Sequence, residues 1–247
     1  LTGVENQYYF NFTWMPVVYT PDSVKARTPD NLDENLELWY ELDEASGPVT
    51  DSSTKGHDGT NNGAERNLSG VIESQSFGFD EPDDDYVDFP ELEINDSSIS
   101  ISLWAYKEGP WTGSSGSNDM AFIIGEDIAT GPGKELRMGF EPSRGFFWSY
   151  KHDSSGWYGI ENMDNPPQDR WVHLAGTFNK TSGSWKFYQD GELKAQNIDP
   201  VSINLGDQSS NNLGRGGING AGYTFNFNGK IDEFRVYNRT LSSSEIR

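Results

Sequence analysis

A repeated two-residue alternation of apolar and polar side chains is the feature that most constrains the fold of this sequence. Ile99, Ile101 and Leu103 alternate with serines, and Val172 and Leu174 alternate with polar or aromatic residues. Successive side chains of a β-strand point to opposite faces of its sheet, so this period of two predicts half-buried strands.

Further short segments have the composition of strands and are separated by glycine, asparagine, aspartate and serine. These segments are Leu36–Leu42, Tyr86–Phe89, Ala121–Gly125, Leu136–Phe140, Phe146–Tyr150 and Lys230–Tyr237. Asp190 and Gly191 stand between two more strands, and this dipeptide favours the positive φ values of a type I′ hairpin turn. Strands at this spacing predict an all-β, two-sheet antiparallel sandwich.

Helix is scarce in the sequence. Leu241–Ile246 is the one candidate, because Ser242 and Glu245 have the spacing of a capping box that satisfies the first free amides of a helix. We therefore predict a short helix at this end of the sequence.

The 247 residues divide into an N-terminal extension, residues 1–31, and one large domain, residues 32–247. The extension carries a dense aromatic, β-prone stretch, followed by Pro21, Pro29 and polar residues typical of a linker. Two interpretations remain open, an edge strand packed on its own domain and a strand donated to a neighbouring subunit. The candidate assembly residues are Tyr8, Phe10, Phe12, Trp14 and Val17.

The formal net charge of -21 is the strongest feature of the composition. A surface this acidic repels nucleic acid and anionic lipid headgroups, so we expect neither as a partner. The net charge indicates a well-solvated surface or, more specifically, a halophilic adaptation in which salt screens the self-repulsion.

No apolar run is long enough to span a bilayer, so no membrane insertion is expected. Because the sequence begins with Leu1, we expect that it has been processed or trimmed.

Five Asn-x-Ser/Thr sequons suggest a glycoprotein of the cell exterior. Their asparagines are Asn11, Asn67, Asn95, Asn179 and Asn238. Several of them fall at predicted loops, where a glycosylating enzyme could reach them.

Four segments, taken in order, carry a family resemblance that spans residues 36–247. They are Leu38–Glu44 with Asp51–Thr60, Phe77–Asp80 with Asp84–Pro90 and Ile99–Ala105, Trp171–Phe178 with Tyr188–Gly191, and Leu213–Arg215 with Phe227–Arg239, Leu241 and Glu245–Ile246. In this order they resemble the laminin-G-like jelly-roll family of the concanavalin A-like superfamily. The resemblance implies a two-sheet antiparallel jelly roll whose first and last strands pair, which brings the loop 51–58 near Asp232 and Glu233.

The resemblance also implies a structural calcium ion in this region, where related jelly rolls often hold one. Calcium takes six to eight oxygen ligands. Glu44, Asp51, Asp58 and Asp232, together with carbonyl groups of the 56–57 loop, are the candidate ligands. The alternative is an aspartate-rich loop that is fixed by Asx-turns alone.

Sugar binding is predicted from aromatic residues in loop-rich stretches. Sugar sites stack pyranose rings on exposed aromatic side chains, and Trp111, Trp157 and Tyr158 are the candidates. The alternative is that these rings fill the core of a large sandwich.

Catalysis has little support in the sequence. The three histidines show no metal-ligand spacing, and there is no cysteine. The Glu-x-Asp-x-x-Glu glycosidase pattern of related jelly rolls begins at Glu41 and Asp43, but Ala45, Ser46 and Gly47 follow and its second glutamate is missing. We expect no catalytic residue.

We therefore expect a non-enzymatic extracellular structural or adhesive protein, a self-assembling filament or coat subunit that uses its N-terminal strand and a structural calcium ion. Its expected partners are further copies of itself or cell-surface glycans. A lectin-like carbohydrate-binding module is the alternative, and a glycoside hydrolase is a third interpretation.

Overall fold

The computed structural model describes residues 32–71, 74–80, 83–111, 119–125, 134–141, 145–152, 156–205, 211–216 and 225–247. These residues form antiparallel strands and turns. The strands are β1 (Leu36–Tyr40), β2 (Thr60–Asn62), β3 (Glu65–Ser69), β4 (Gln75–Phe79), β5 (Tyr86–Asp88), β6 (Ile99–Lys107), β7 (Asp119–Gly125), β8 (Glu135–Glu141), β9 (Gly145–Lys151), β10 (Trp157–Met163), β11 (Trp171–Asn179), β12 (Ser184–Gln189), β13 (Glu192–Ile198), β14 (Asn212–Leu213), β15 (Arg215–Gly216), β16 (Phe225–Asn226) and β17 (Gly229–Tyr237). The predicted all-β class is confirmed.

Two sheets make up the sandwich. The eight-stranded sheet has the order β13-β12-β11-β6-β17-β4-β3, with β1 also paired to β17. The seven-stranded sheet has the order β10-β9-β8-β7-β14-β5-β2, and β15 and β16 form a separate pair. Neighbours in sheet order are often far apart in sequence, which is the arrangement of a jelly roll.

The first and last strands pair, as the family resemblance implied. Leu38 lies opposite Val236 and Tyr40 lies opposite Phe234 in an antiparallel ladder. On its other side β17 pairs with β6, where Ile231 lies opposite Ala105. The chain therefore closes on itself through the centre of the eight-stranded sheet.

The core between the sheets is rich in aromatic rings. Trp148 of the seven-stranded sheet and Trp185 of the eight-stranded sheet are fully buried, with ring centroids 5.5 Å apart. Gly176 leaves room for this packing, because a Cβ atom at that position would lie 2.6 Å from the indole ring of Trp148. Large rings from both sheets thus interdigitate and fix the distance between the sheets.

The predicted hairpin at Asp190 and Gly191 is confirmed. Both residues have positive φ, 51° and 75°, as a type I′ turn requires. The turn joins β12 and β13, whose ladder shifts register between Phe187 and Tyr188.

The predicted C-terminal helix is wrong, because the segment makes only a single turn. The capping-box contacts are present: the Ser242 N–H donates to Glu245 Oε2 at 2.8 Å. One backbone bond of helical spacing follows, from Ile246 N–H to the Ser242 carbonyl. Leu241 and Ile246 bury their side chains, so packing holds the segment after one turn and no helix propagates.

Asp33–Arg247 form one compact unit. The assembly residues predicted in the extension, Tyr8, Phe10, Phe12, Trp14 and Val17, lie outside the described residues, as does the first sequon, Asn11. Within the described part of the chain, no helix is long and apolar enough to cross a membrane.

Candidate functional site

The loop after β1 is organised around the carboxylate of Asp51. One oxygen accepts the backbone N–H groups of Trp39 and Ser53, at 3.1 and 2.9 Å. The other accepts the His57 N–H at 2.9 Å and the Ser53 hydroxyl at 2.8 Å. Burial by itself would raise the pKa of Asp51, but these donors lower it below its ordinary value.

Two further predicted metal ligands also cap backbone groups of this loop. Asp58 Oδ1 accepts the Asp51 N–H at 2.8 Å, and Glu44 Oε1 accepts the Thr50 N–H at 2.8 Å. The bond from the Ser53 N–H to Asp51 has the two-residue spacing of an Asx-turn, whereas the Asp58 and Glu44 bonds hold the loop over longer spacings.

The fourth predicted ligand, Asp232, is held by a different loop. It is fully buried, and its Oδ2 atom accepts the Val71 N–H at 2.8 Å and the Ser74 hydroxyl at 3.0 Å. Its Oδ1 atom is buried without a hydrogen-bond partner. Burial raises the pKa of Asp232 to about 7, and the nearby Glu233 and Asp43 carboxylates add to this.

The four carboxylates do not fit a single calcium shell. Both oxygens of Asp51 are already used by the loop, and Asp232 is bound to Val71 and Ser74. Among the described residues, no group of three or more histidines or acidic residues is arranged to hold a metal ion. Calcium binding stays a prediction, and two of the predicted ligands, Asp232 through Oδ1 and Glu44 through Oε2, have a buried oxygen without a hydrogen-bond partner.

Trp111, a predicted sugar-binding residue, belongs to the core. It is 6% exposed, and its ring packs edge-on against Phe146 at 5.3 Å and beside Phe227 at 6.1 Å. Its indole N–H donates to the Pro166 carbonyl at 2.8 Å. This packing leaves no ring face of Trp111 for stacking on a sugar.

The other two predicted sugar-binding residues are neighbours on β10. Tyr158 is half-buried and packs against the core, with the His152 ring at 6.5 Å. Trp157 is half-buried on the opposite face of its strand, and the Arg137 guanidinium lies 3.5 Å from its ring centroid. Of the three candidates, Trp157 is therefore the one whose side chain lies outside the hydrophobic core.

The sequons within the described residues differ in their surroundings. Asn67 and Asn95 are exposed. The Asn179 side chain accepts the Ser182 N–H at 2.9 Å, and the Asn238 amide donates to the Glu93 carbonyl at 3.0 Å. Asn67 and Asn95 are therefore the more accessible of these four.

A set of partly exposed rings lies on the outer face of the eight-stranded sheet, which we name the aromatic platform. Its members are Trp39 on β1, Trp104 and Tyr106 on β6, and Trp171 and His173 on β11. Trp104 and His173 are directly opposite each other, as are Tyr106 and Trp171. Their ring centroids are 5.2 and 5.7 Å apart.

Cations and hydrogen-bonding groups stand among these rings. The Arg235 guanidinium lies 4.5 Å from the ring centroid of Trp39, and the Lys230 ammonium lies 4.9 Å from that of Tyr106. The indole N–H of Trp39 donates to Glu233 Oε2 at 2.9 Å. Burial, together with the Arg235 charge, lowers the pKa of His173 to about 4, so its imidazole is neutral at pH 7.

Sequence reasoning missed the aromatic platform because its members come from three strands that are far apart in the chain. Only the pairing of β11 with β6, and of β6 and β1 with β17, places them side by side. A partial signal existed, since Trp171 and His173 alternate with the core residues Val172 and Leu174.

Several solved structures share this fold over nearly the whole domain. Domain 4 of AbnA, a GH43 extracellular arabinanase from Geobacillus stearothermophilus, in complex with arabinotriose, is 22% identical with a TM-score of 0.64, covering 86% of this chain and 96% of that domain. The binding domain of Paraclostridial Mosquitocidal Protein 1 is 16% identical with a TM-score of 0.63, covering 87% of this chain.

A structure of botulinum neurotoxin type C, whose cell entry depends on interaction with two ganglioside molecules, is 16% identical with a TM-score of 0.61, covering 89% of this chain. This chain spans 51% of the length of both toxin chains. At these identities the likeness establishes a shared fold.

No curated protein matches the sequence. The family scan matches residues 80–247 to the laminin-G-like family described as the concanavalin A-like lectin/glucanases superfamily. This match covers more than half of the chain and includes the segments from β6 to β17 on which the resemblance was based. The chain belongs to the laminin-G-like family of the concanavalin A-like lectin/glucanases superfamily.

Proposed function

We propose that this protein is a non-enzymatic, extracellular carbohydrate-binding domain that holds a neutral glycan on the aromatic platform. The observation that carries the proposal is the grouping of three tryptophans, a tyrosine and a neutral histidine on one outer sheet face. Elsewhere in the described residues, Trp111, Trp148 and Trp185 are buried in the core.

The chemistry of the surface suits a sugar chain. Indole and phenol rings offer apolar area to the C–H faces of sugars at a low cost in side-chain entropy. Glu233, Arg235 and Asp190 supply hydrogen-bonding groups at the edges of the rings. The net charge of -21 disfavours anionic glycans through long-range repulsion.

Relatives of the same fold support a glycan as the ligand class. The arabinanase domain was solved with arabinotriose, and the type C neurotoxin interacts with ganglioside molecules. The arabinanase is extracellular and the neurotoxin enters cells, which is consistent with an extracellular role for this chain.

A glycan array with three versions of the protein tests the proposal. The wild type is expected to bind at least one neutral glycan saturably. The double variant Trp104→Ala/Trp171→Ala should lose at least about tenfold in affinity, because each stacking ring that is removed weakens binding by about 1 kcal/mol or more. Trp157→Ala, which removes a half-buried tryptophan from the other sheet, is the matched control and should bind like the wild type.

Two results would overturn this proposal. One is a wild-type protein that binds no neutral glycan on the array. The other is a pattern in which Trp157→Ala abolishes binding while the platform double variant retains it. Circular dichroism of each variant shows whether the sandwich is intact, so a loss of binding can be separated from a loss of fold.

A self-assembling subunit is the second candidate function, and the open edge at β13 favours it. Within the described part of the chain this strand pairs with β12 alone, and it exposes Leu193 by 47% and Ile198 by 66%. An exposed edge with apolar side chains accepts an added strand. The extension, with Tyr8 to Val17, is the segment proposed to add to a neighbouring copy.

Truncation separates this second function from the first. The intact chain and a chain lacking residues 1–31 are compared by light scattering and negative-stain microscopy in molar salt with calcium. Polymers formed by the intact chain alone support a donated strand, because a head-to-tail contact that does not close builds a filament. Monomers in both samples refute it and leave glycan binding unaffected.

A further inference from the structure

A groove opens between the edge strands of the two sheets, at β10 on one side and β12–β13 on the other. At one end the sheets are tied together: the Asn197 amide donates to the Gly159 carbonyl at 2.8 Å, and the Gly159 N–H donates to Asp199 at 3.2 Å. Beyond this tie the β10 ladder becomes irregular between Ile160 and Met163. The resulting cavity, which we name the edge groove, has a volume of about 560 Å³.

A bulge in β10 shapes this groove. Asn162 has φ of 57°, a left-handed conformation that interrupts the pairing of β10 with β9. Bulges of this kind bend an edge strand and redirect its side chains, and they are frequent beside functional sites. The backbone between Ile160 and Met163 therefore departs from regular pairing with β9 at the point where the groove begins.

The floor of the edge groove is apolar. Phe187 and Ile160 are 1% and 7% exposed, and Met163 and Ala195 are half-buried beside them. A volume of several hundred Å³ with an apolar floor is within the usual range for small-ligand sites.

The rim of the edge groove carries three carboxamides with unused hydrogen-bonding capacity. Asn162, Asn165 and Gln189 all line the groove. Within the described residues their side chains make no hydrogen bond, whereas Lys194 of the same groove is bound to Glu192 at 2.7 Å. A carboxamide donates and accepts at the same time, which matches adjacent hydroxyl groups.

We propose that the edge groove is a second binding site, which takes one or two rings of a neutral saccharide. The carboxamides bind its hydroxyl groups, and the apolar floor receives the C–H face of a ring. Glu161 and Asp164 also line the groove, so an anionic sugar is disfavoured there. Phe187 and Gln189 alternate with Tyr188 and lie on the inner side of β12, so the site is separate from the aromatic platform.

Saturation-transfer NMR on the full chain tests this site with defined probes. Glucose, galactose, arabinose, xylose and cellobiose are measured separately, with glucuronic acid as the anionic probe. Ala195→Trp fills the groove from the exposed edge strand β13, and Gln196→Trp places the same ring one residue away, on the opposite side of that strand. We expect transfer to at least one neutral sugar, a loss of at least tenfold in affinity for Ala195→Trp, and unchanged affinity for Gln196→Trp.

The platform double variant Trp104→Ala/Trp171→Ala distinguishes the two sites. It should retain the groove signal, and Ala195→Trp should retain binding on the glycan array. The inference is overturned if no neutral sugar receives transfer, if Ala195→Trp keeps the wild-type affinity, or if glucuronic acid binds as well as the neutral sugars. Each of these results leaves the platform proposal standing, because that proposal depends on the array.

Discussion

The imidazole of His173 packs against Trp104 on the aromatic platform and is affected by the charge of Arg235. Burial lowers its pKa to about 4 from an ordinary value of 6.5, with Arg235 acting in the same direction and Asp190 opposing it. The unfolded chain therefore binds a proton at this residue in a pH range where the folded protein does not.

This difference predicts that stability is lost on mild acidification. The contribution of His173 is complete above about pH 6.5 and declines as pH falls to about 4, by about 1 to 2 kcal/mol because the ring keeps some contact with solvent. Urea unfolding at a series of pH values measures it. His173→Gln should flatten the profile in this window, and His152→Gln should not. An unchanged profile in His173→Gln would contradict the assigned pKa.

The carboxylate of Asp51 fixes a loop through four donated hydrogen bonds from three residues. Asp51→Asn removes the charge and leaves one oxygen to accept these donors. We expect a loss of about 2 to 3 kcal/mol in the free energy of unfolding near neutral pH. The exposed carboxylate Glu91, changed to glutamine, is the matched control and should cost less than about 0.5 kcal/mol.

The pKa of Asp51 is lowered for a different reason from that of His173. Burial lowers the pKa of His173, whereas at Asp51 burial acts in the other direction and the hydrogen bonds to the carboxylate lower the pKa. The folded pKa of Asp51 lies below its ordinary 3.8, so its contribution is complete above that value and is lost as pH falls through the lowered pKa. The stability difference between wild type and Asp51→Asn should therefore shrink only in strong acid. A difference that disappears already at pH 5 to 6 would argue against the hydrogen-bonded carboxylate.

At the scale of the element, we predict calcium binding at the loop that holds Asp232. A cation bound to its free Oδ1 atom would stabilise the folded state alone and raise Tm. Thermal unfolding is measured with calcium and with a chelator, on wild type and on Asp232→Asn. The prediction is a calcium-dependent rise in the wild type that Asp232→Asn lacks. Equal Tm values in both conditions would show that hydrogen bonds alone hold this region.

The strands could be predicted because short stretches of neighbouring residues determine them. Alternation over Ile99, Ile101 and Leu103 decides which side chains are buried, and Asp190-Gly191 determines the hairpin that follows β12. The C-terminal turn was over-extended into a helix because a capping box specifies a start and says nothing about length.

The candidate site was harder to predict because it depends on contacts between residues that are far apart in the sequence. Trp111 and Trp157 both occur in loop-rich sequence, yet one packs against Phe146 and the other lies beside Arg137. What distinguishes them is contact with residues from other strands. The same holds for Asp232, which sequence reasoning grouped with Asp51 and which the fold places against Val71.

The whole molecule carries far more negative than positive charge, with 39 acidic and 18 basic residues. Repulsion among these charges destabilises the compact state, and salt shortens the screening length from about 10 Å at 0.1 M to about 3 Å at 1 M. We expect Tm to rise as sodium chloride is raised through this range. Sucrose, which stabilises without screening, serves as the control, and a Tm that falls with salt would contradict the expected halophilic adaptation.

Binding on the aromatic platform can be observed directly through the indole N–H resonances of the eight tryptophans. A neutral oligosaccharide selected on the array is titrated into ¹⁵N-labelled protein, with single Trp→Phe variants assigning the peaks. Binding on the platform predicts saturable shifts for Trp39, Trp104 and Trp171, while the resonances of Trp111, Trp148 and Trp185 in the core stay unchanged. Shifts confined to Trp157, or no shift for any platform tryptophan, would contradict it.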